Sequence, residues 1–171
     1  VSPVVRVPWN DTVMIKRVLD LGVQSVLIPY VQTVEEAKRA VSAVRYPPNG
    51  VRGYGPTRAA RWGRIRDYHK HADSEICLML QVESQAAVSK IEEIAALDGV
   101  DVLFIGPADL AADMGYLGQP NHPEVKAAIK DAIIRINKAG KVAGMLAFDE
   151  EDAQSYMKHG ANFVAVTADA V

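Results

Sequence analysis

Ile76-Cys77-Leu78-Met79-Leu80-Gln81-Val82-Glu83 is followed, after a stretch of helical spacing at 86–96, by Val100-Asp101-Val102-Leu103-Phe104-Ile105-Gly106-Pro107-Ala108-Asp109-Leu110. Both runs are short and almost continuously apolar rather than alternating, as strands buried on both faces are. Each is followed by an acid, Glu83 or Asp109. A carboxylate at the end of a buried strand is unfavourable unless something cationic meets it. Two of them on consecutive parallel strands point to a shared divalent metal, and so to an enzyme rather than a scaffold.

The same pattern extends in both directions. Strand-length apolar runs recur at 4–7, 25–29, 142–147 and 163–167, and helical spacing at 13–21, 34–44, 123–139 and 150–159. Strictly alternating β and α segments predict a parallel sheet with crossover helices. The punctuation agrees: Asp11 and Thr12 are cap residues, Gly22 and Gly140 stop helices, and Asp149 to Asp152 put negative charge at a helix start. Six strands fit either a doubly wound open sheet or most of a (β/α)8 barrel. The 171 residues fall short of the roughly 250 of a complete barrel.

With 49% hydrophobic residues and a net charge of -2 from 19 basic and 21 acidic side chains, the chain can bury one core and has no polyelectrolyte bias. A single cysteine, Cys77, excludes an intramolecular disulfide and suits a reducing compartment, so a cytoplasmic location is expected. No apolar run approaches the roughly 20 residues of a membrane span, and the N-terminus lacks the features of a signal peptide. The chain opens on Val1-Ser2-Pro3-Val4-Val5 without an initiator methionine and reads as cut from something longer. Its one long irregular stretch, 46–66, carries Arg52, Arg58, Arg61, Arg64 and Arg66 with Tyr54 and Trp62. A loop of that length is usually functional. It is expected to be a lid or subunit contact meeting anionic substrate groups, with a solvated basic surface as the alternative; nucleic acid is not an expected partner.

Reactive groups of parallel α/β folds gather at the carboxyl ends of the strands. Glu83 and Asp109 stand there, and two hard oxygen donors with room for waters suit magnesium or manganese rather than zinc. The alternative is that each acid caps the helix or turn that follows it. Arg6, between Val5 and Val7, brings a cation to the same mouth, where it could hold an oxyanion; alternatively it is bridged internally to an acid such as Asp20. Gly106-Pro107-Ala108 is a tight turn whose backbone amides could receive a carboxylate. His69, His71, His122 and His159 are not at strand ends. Ser84 and Cys77 have no evident base beside them. Gly53-Tyr54-Gly55 lacks the third glycine and the context of a dinucleotide fingerprint.

Taken together, Val5-Arg6-Val7-Pro8-Trp9-Asn10-Asp11, Arg45-Tyr46-Pro47-Pro48-Asn49-Gly50-Val51-Arg52-Gly53, Gln81-Val82-Glu83 and Ile105-Gly106-Pro107-Ala108-Asp109-Leu110 resemble the HpcH/HpaI aldolase family from end to end of the chain. The resemblance is nearest to the 4-hydroxy-2-oxoheptanedioate aldolases of aromatic catabolism, class II lyases that release pyruvate and an aldehyde. It implies a (β/α)8 TIM barrel of the phosphoenolpyruvate/pyruvate type, here a single partial domain over 1–171 of about six βα units. The first two units and the closing helix are then lacking. It also implies a homo-oligomer, usually a hexamer, and Glu83 and Asp109 as ligands of Mg, Mn or Co. Gln81 matches a residue lining the pyruvate site, Gly106, Pro107, Ala108 and Asp109 match the turn whose amides hold the pyruvate carboxylate, and Arg6 matches the arginine at the keto oxygen. Asp20 matches an aspartate that orients a general-base histidine, and that histidine lies ahead of this segment in the family. The segment by itself is accordingly expected to be inactive. The alternatives are a citryl- or malyl-coenzyme A lyase of the same superfamily, and a non-catalytic barrel segment serving in assembly.

Overall fold

A computed structural model describes residues 2–166. Six parallel strands alternate with helices: β1 (Val4–Arg6), α1 (Thr12–Asp20), β2 (Ser25–Ile28), α2 (Val34–Val44), α3 (Tyr68–His71), β3 (Cys77–Val82), α4 (Gln85–Ser89), α5 (Ile91–Ala95), β4 (Val102–Ile105), α6 (Pro107–Asp113), α7 (Pro123–Lys138), β5 (Val142–Leu146), α8 (Glu150–Lys158) and β6 (Phe163–Ala165). The strands lie side by side in chain order, β1-β2-β3-β4-β5-β6, all parallel. Sequential order with every crossover helix on one side is barrel topology. A doubly wound sheet would reverse its order part-way.

Register divides the side chains into two layers. Val26, Ile28, Leu78, Leu80, Val82, Leu103, Ile105, Ala143 and Met145 face the helices and join Ile15, Leu19, Ile91, Ile94, Val125, Ile129 and Ile133 in the main core. Each such fully buried aliphatic side chain contributes about 1.5–3 kcal/mol. The other face is concave and smaller, with Leu27, Met79, Val102 and Phe104 buried and Cys77, Leu146, Phe163 and Ala165 against them. In both layers the packing fixes register, because a one-residue slip would exchange the faces.

All six predicted strands are present, each trimmed at its ends. The predicted β6 residue Thr167 lies outside the described residues. β1 departs from the expectation of a strand buried on both faces. Val4 is exposed, as befits a strand paired on one side only. The predicted helix 86–96 is two helices, since the backbone leaves helical geometry at Lys90. Turns dominate 46–66 as expected, but its position is not that of a lid. Its backbone comes against Gly22, in the turn that leads into β2, and its Arg52 pairs with Asp20, at the end of α1, at 3.1 Å. Both contacts are at the amino ends of the strands, opposite the mouth. Among the described residues no helix is long and apolar enough to cross a membrane.

Candidate active site

The mouth is formed where β1 to β5 end. Gln81 and Phe104 are partners across β3 and β4, so Gln81, Glu83 and Gly106 share the concave face. Glu83 is 4% exposed. Its Oε1 accepts the backbone N–H of Tyr30 at 2.9 Å and its Oε2 accepts Gln81 Nε2 at 2.5 Å. Asp109, in the first turn of α6, is exposed and near enough to act on it. Burial first and the Asp109 charge second push the Glu83 carboxyl up to about 7. This is the signature of two carboxylates sharing a site.

Both capping alternatives fall. Ser84, not Glu83, caps α4, accepting the Ala87 N–H at 3.1 Å. Gly106 is the N-cap of α6, no side chain caps that helix, and Asp109 is inside its first turn. The amides that open α6, those of Ala108 and Asp109, are therefore left to a ligand or water. The alternative for Arg6 falls as well: among the described residues it forms no ion pair, and Asp20 is taken by Lys16 and Arg52. Arg6 itself is exposed, in register with Leu27 on the concave face. It stands two strands, or about 10 Å, from β3.

Asp20 lies away from the mouth of this chain. It ends α1, at the far end of a nine-residue helix from the mouth, about 13 Å along the axis. Its carboxylate is taken by Lys16 and by Arg52 Nη2, the latter at 3.1 Å. Within one chain it cannot orient a group at the mouth. What it does here is neutralise the fully buried Arg52, which also lies 4.5 Å over the Tyr46 ring. None of the four histidines is on the concave face. His69 and His71 are in the α3 region, His122 caps α7, and His159 follows α8.

Sequence reasoning missed Tyr30 and Trp9. Tyr30 has a φ of 54°, in the left-handed region, and its ring stacks on Trp9 at 5.7 Å. Nothing in the residue types signals a left-handed tyrosine. Their place after the ends of β2 and β1 was the only clue.

A hard divalent cation fits these residues. Glu83 is a buried acid facing a second acid, and among the described residues no cationic side chain is bonded to either. Gln81 Oε1 is buried without a partner among the described residues. A Cβ on Gly106 would overlap Glu83 Oε2 and come to 2.9 Å from Gln81 Nε2, so glycine is needed to let the acid lie against the backbone. Among the described residues no three His, Cys, Asp or Glu side chains gather as a metal cluster. The pair supplies two donors, which leaves the rest of an octahedral shell to water and substrate oxygens.

The sequence model of the HpcH/HpaI aldolase/citrate lyase family matches residues 1–171. The chain belongs to this family. It is 55% identical over 171 residues to the hydroxypyruvate/pyruvate aldolase of Sagittula stellata, covering 99% of this chain and 68% of that protein. To the 4-hydroxy-2-oxo-heptane-1,7-dioate aldolase of Shigella flexneri it is 52% identical over 170 residues, covering 98% and 64%. The crystal structure of an HpcH/HpaI aldolase/citrate lyase family protein from Burkholderia cenocepacia superposes with a TM-score of 0.94 at 40% identity, covering 99% of this chain and 68% of that one. The chain thus spans about two thirds of the length of these relatives. Its fold is a part of the HpcH/HpaI barrel, and the acid pair lies at that barrel's carboxyl mouth.

Proposed function

We propose that the protein carrying this chain is a divalent-metal-dependent aldolase that cleaves a 4-hydroxy-2-oxo acid, such as 4-hydroxy-2-oxoheptanedioate, to pyruvate and an aldehyde. The observation that carries the reading is the pairing of buried Glu83 with Asp109 at the mouth of an HpcH/HpaI barrel. The names of the relatives, pyruvate aldolase and 4-hydroxy-2-oxo-heptane-1,7-dioate aldolase, support the substrate class.

In this reading Glu83 and Asp109 hold the cation. When bound, it supplies Lewis-acid stabilisation of the enolate that retro-aldol cleavage creates. The amides of Ala108 and Asp109 receive the substrate carboxylate, the Gln81 side chain borders the oxo acid, and the Arg6 guanidinium offers a second positive charge to the C2 oxygen. A base takes the C4 hydroxyl proton, the C3–C4 bond breaks, its electron pair passes into the enolate, and protonation at C3 gives pyruvate. The base is assigned to a residue outside this chain, since none of its histidines faces the site. No Schiff-base lysine is required.

Pyruvate release from 4-hydroxy-2-oxoheptanedioate by the intact protein, with and without chelator, tests the reading. Activity is expected to vanish on chelation, to return with Mg or Mn, and to be lost in Glu83→Gln and Asp109→Asn. Chelator-insensitive cleavage would overturn the metal role. Faster cleavage of a citryl- or malyl-coenzyme A thioester would move the protein to the lyase branch.

A further inference from the structure

We infer that the stacked pair Trp9 and Tyr30 is a positioning device for Glu83, clamping residue 30 in a left-handed conformation so that its N–H fixes carboxylate oxygen Oε1. The inference rests on the proposed function only in treating Glu83 as a metal ligand.

A residue with a Cβ does not adopt φ near 54° without compensation, and such a conformation persists only where its surroundings over-determine it. Three observations supply the constraint. The flanking Pro29 and Val31 are buried, and Val31 N–H donates to the Gln81 carbonyl at 3.1 Å, carrying the β2–β3 ladder past the strand end. The Tyr30 ring, itself outside the core, lies on Trp9 with the planes 29° apart. Trp9 is in turn anchored to its own strand end. Val7 N–H donates to Leu27 O at 3.2 Å, the Trp9 carbonyl accepts the Asp11 N–H at 2.8 Å, and Asn10 Nδ2 donates to Glu36 O at 3.1 Å. The ring of Tyr30 is therefore the handle by which the β1 loop holds the β2 loop.

The effect is felt at β3. With Oε1 bonded to Tyr30 and Oε2 to Gln81, the plane of the Glu83 carboxylate is set from both sides. Each oxygen keeps a lone pair for a cation. Bonds of this kind around a ligand change metal affinity by about 10- to 100-fold when lost. Releasing the stack removes the bond that fixes Oε1 and leaves Glu83 held from the Gln81 side, and affinity falls although neither metal ligand has changed.

Two readouts on the intact protein test this. Hydrogen exchange at the Tyr30 amide reports the N–H bond without any metal, and Mn2+ titration of the chelator-stripped protein reports the ligand geometry. Trp9→Ala, at a residue 58% exposed, is expected to speed Tyr30 exchange and to weaken Mn2+ binding by about fivefold, the scale of one aromatic pair. Tyr30→Ala, which removes the ring but keeps the Cβ and so the cost of the left-handed conformation, is expected to weaken binding similarly, and the double variant no further, because both act through one contact. Tyr30→Phe keeps the ring and is expected to restore wild-type affinity. Unchanged Tyr30 exchange in Trp9→Ala would overturn the clamp. Faster exchange with unchanged Mn2+ affinity in Trp9→Ala and Tyr30→Ala would overturn the positioning role. If the unaltered protein binds no Mn2+, the metal reading fails instead, and the exchange arm still decides whether the stack holds the Tyr30 amide.

Discussion

Gly106 lies directly against Glu83: the end of β4 presses its backbone on the carboxylate that closes β3, and a Cβ at Gly106 would overlap Oε2 and come to 3.0 Å from the Glu83 Cβ. Gly106→Ala therefore forces the acid away from its place while leaving both acids in the sequence. Mn2+ affinity is expected to drop at least about tenfold, with the far-UV circular dichroism unchanged. Calorimetric titration checks it, and wild-type affinity in the variant would show that the close approach has no role in the site.

The Glu83 carboxyl, pushed up to about 7, makes stability depend on pH in a defined direction. A carboxyl whose folded value is raised holds its proton more tightly folded than unfolded. That contribution is fully present below the ordinary value of 4.5 and disappears as pH rises through about 7. The full swing is about 3 kcal/mol, from 1.36 kcal/mol per unit. Glu83→Gln cannot titrate, so in chelator the variant should gain on the wild type between pH 5 and pH 8 by most of that swing. Urea unfolding at the two pH values measures it. An equal difference between variant and wild type at both would refute the assignment.

Arg52 and Asp20 form a pair with unequal partners. Arg52 is fully buried, whereas the Asp20 side chain is 22% exposed and keeps Lys16 as a second partner. Removing the acid strands a guanidinium in the interior; removing the arginine leaves an acid at the surface already paired. Asp20→Ala is thus expected to destabilise by about 3–5 kcal/mol. Arg52→Met should lose about 1–2 kcal/mol, since its aliphatic replacement fills the same space. Urea denaturation distinguishes them, and equal losses would mean that burial of the arginine is not what the pair serves.

The strands from β2 to β5 were legible because each is an almost continuous apolar run, and burial on both faces writes that pattern directly into composition. Glu83 and Asp109 were legible as exceptions to it. Lys90 shows where periodicity stops being informative. Ala87, Ile91, Ile94 and Ala95 are all buried at helical spacing, so the pattern runs straight through a residue at which the helix breaks. Periodicity reports which side chains meet the core, not whether the backbone between them stays helical. The 46–66 loop departs from a lid position for another reason. Its arginines suggested anionic ligands, but a loop that follows a helix and precedes a strand returns to the amino edge of a parallel sheet, so topology overrides composition. Asp20 lies at that same edge, where α1 ends. Tyr30 acts through its backbone, and no side-chain pattern encodes where an N–H points.

On the concave face, Gly144 of β5 sits between Phe104 and Phe163, whose rings meet edge to face at 5.9 Å and 61°. A Cβ there would stand 2.9 Å from Phe104 Cδ2, 3.0 Å from Val102 Cγ1 and 3.2 Å from Phe163 Cδ1. Two effects oppose each other in Gly144→Ala. Replacing glycine in a strand favours the folded state by about 0.5–1 kcal/mol through the unfolded chain, while overpacking disfavours it by about 1–3 kcal/mol. Phe104 is held between two strands and is only 5% exposed, so it has little room to yield, and the overpacking term should prevail. Net destabilisation of about 1–2 kcal/mol is expected. Adding Phe163→Leu, which opens space on the β6 side, should make the alanine less harmful than it is alone. A double-mutant cycle by urea unfolding reads this coupling, and strictly additive effects would show that the two rings do not pack through Gly144.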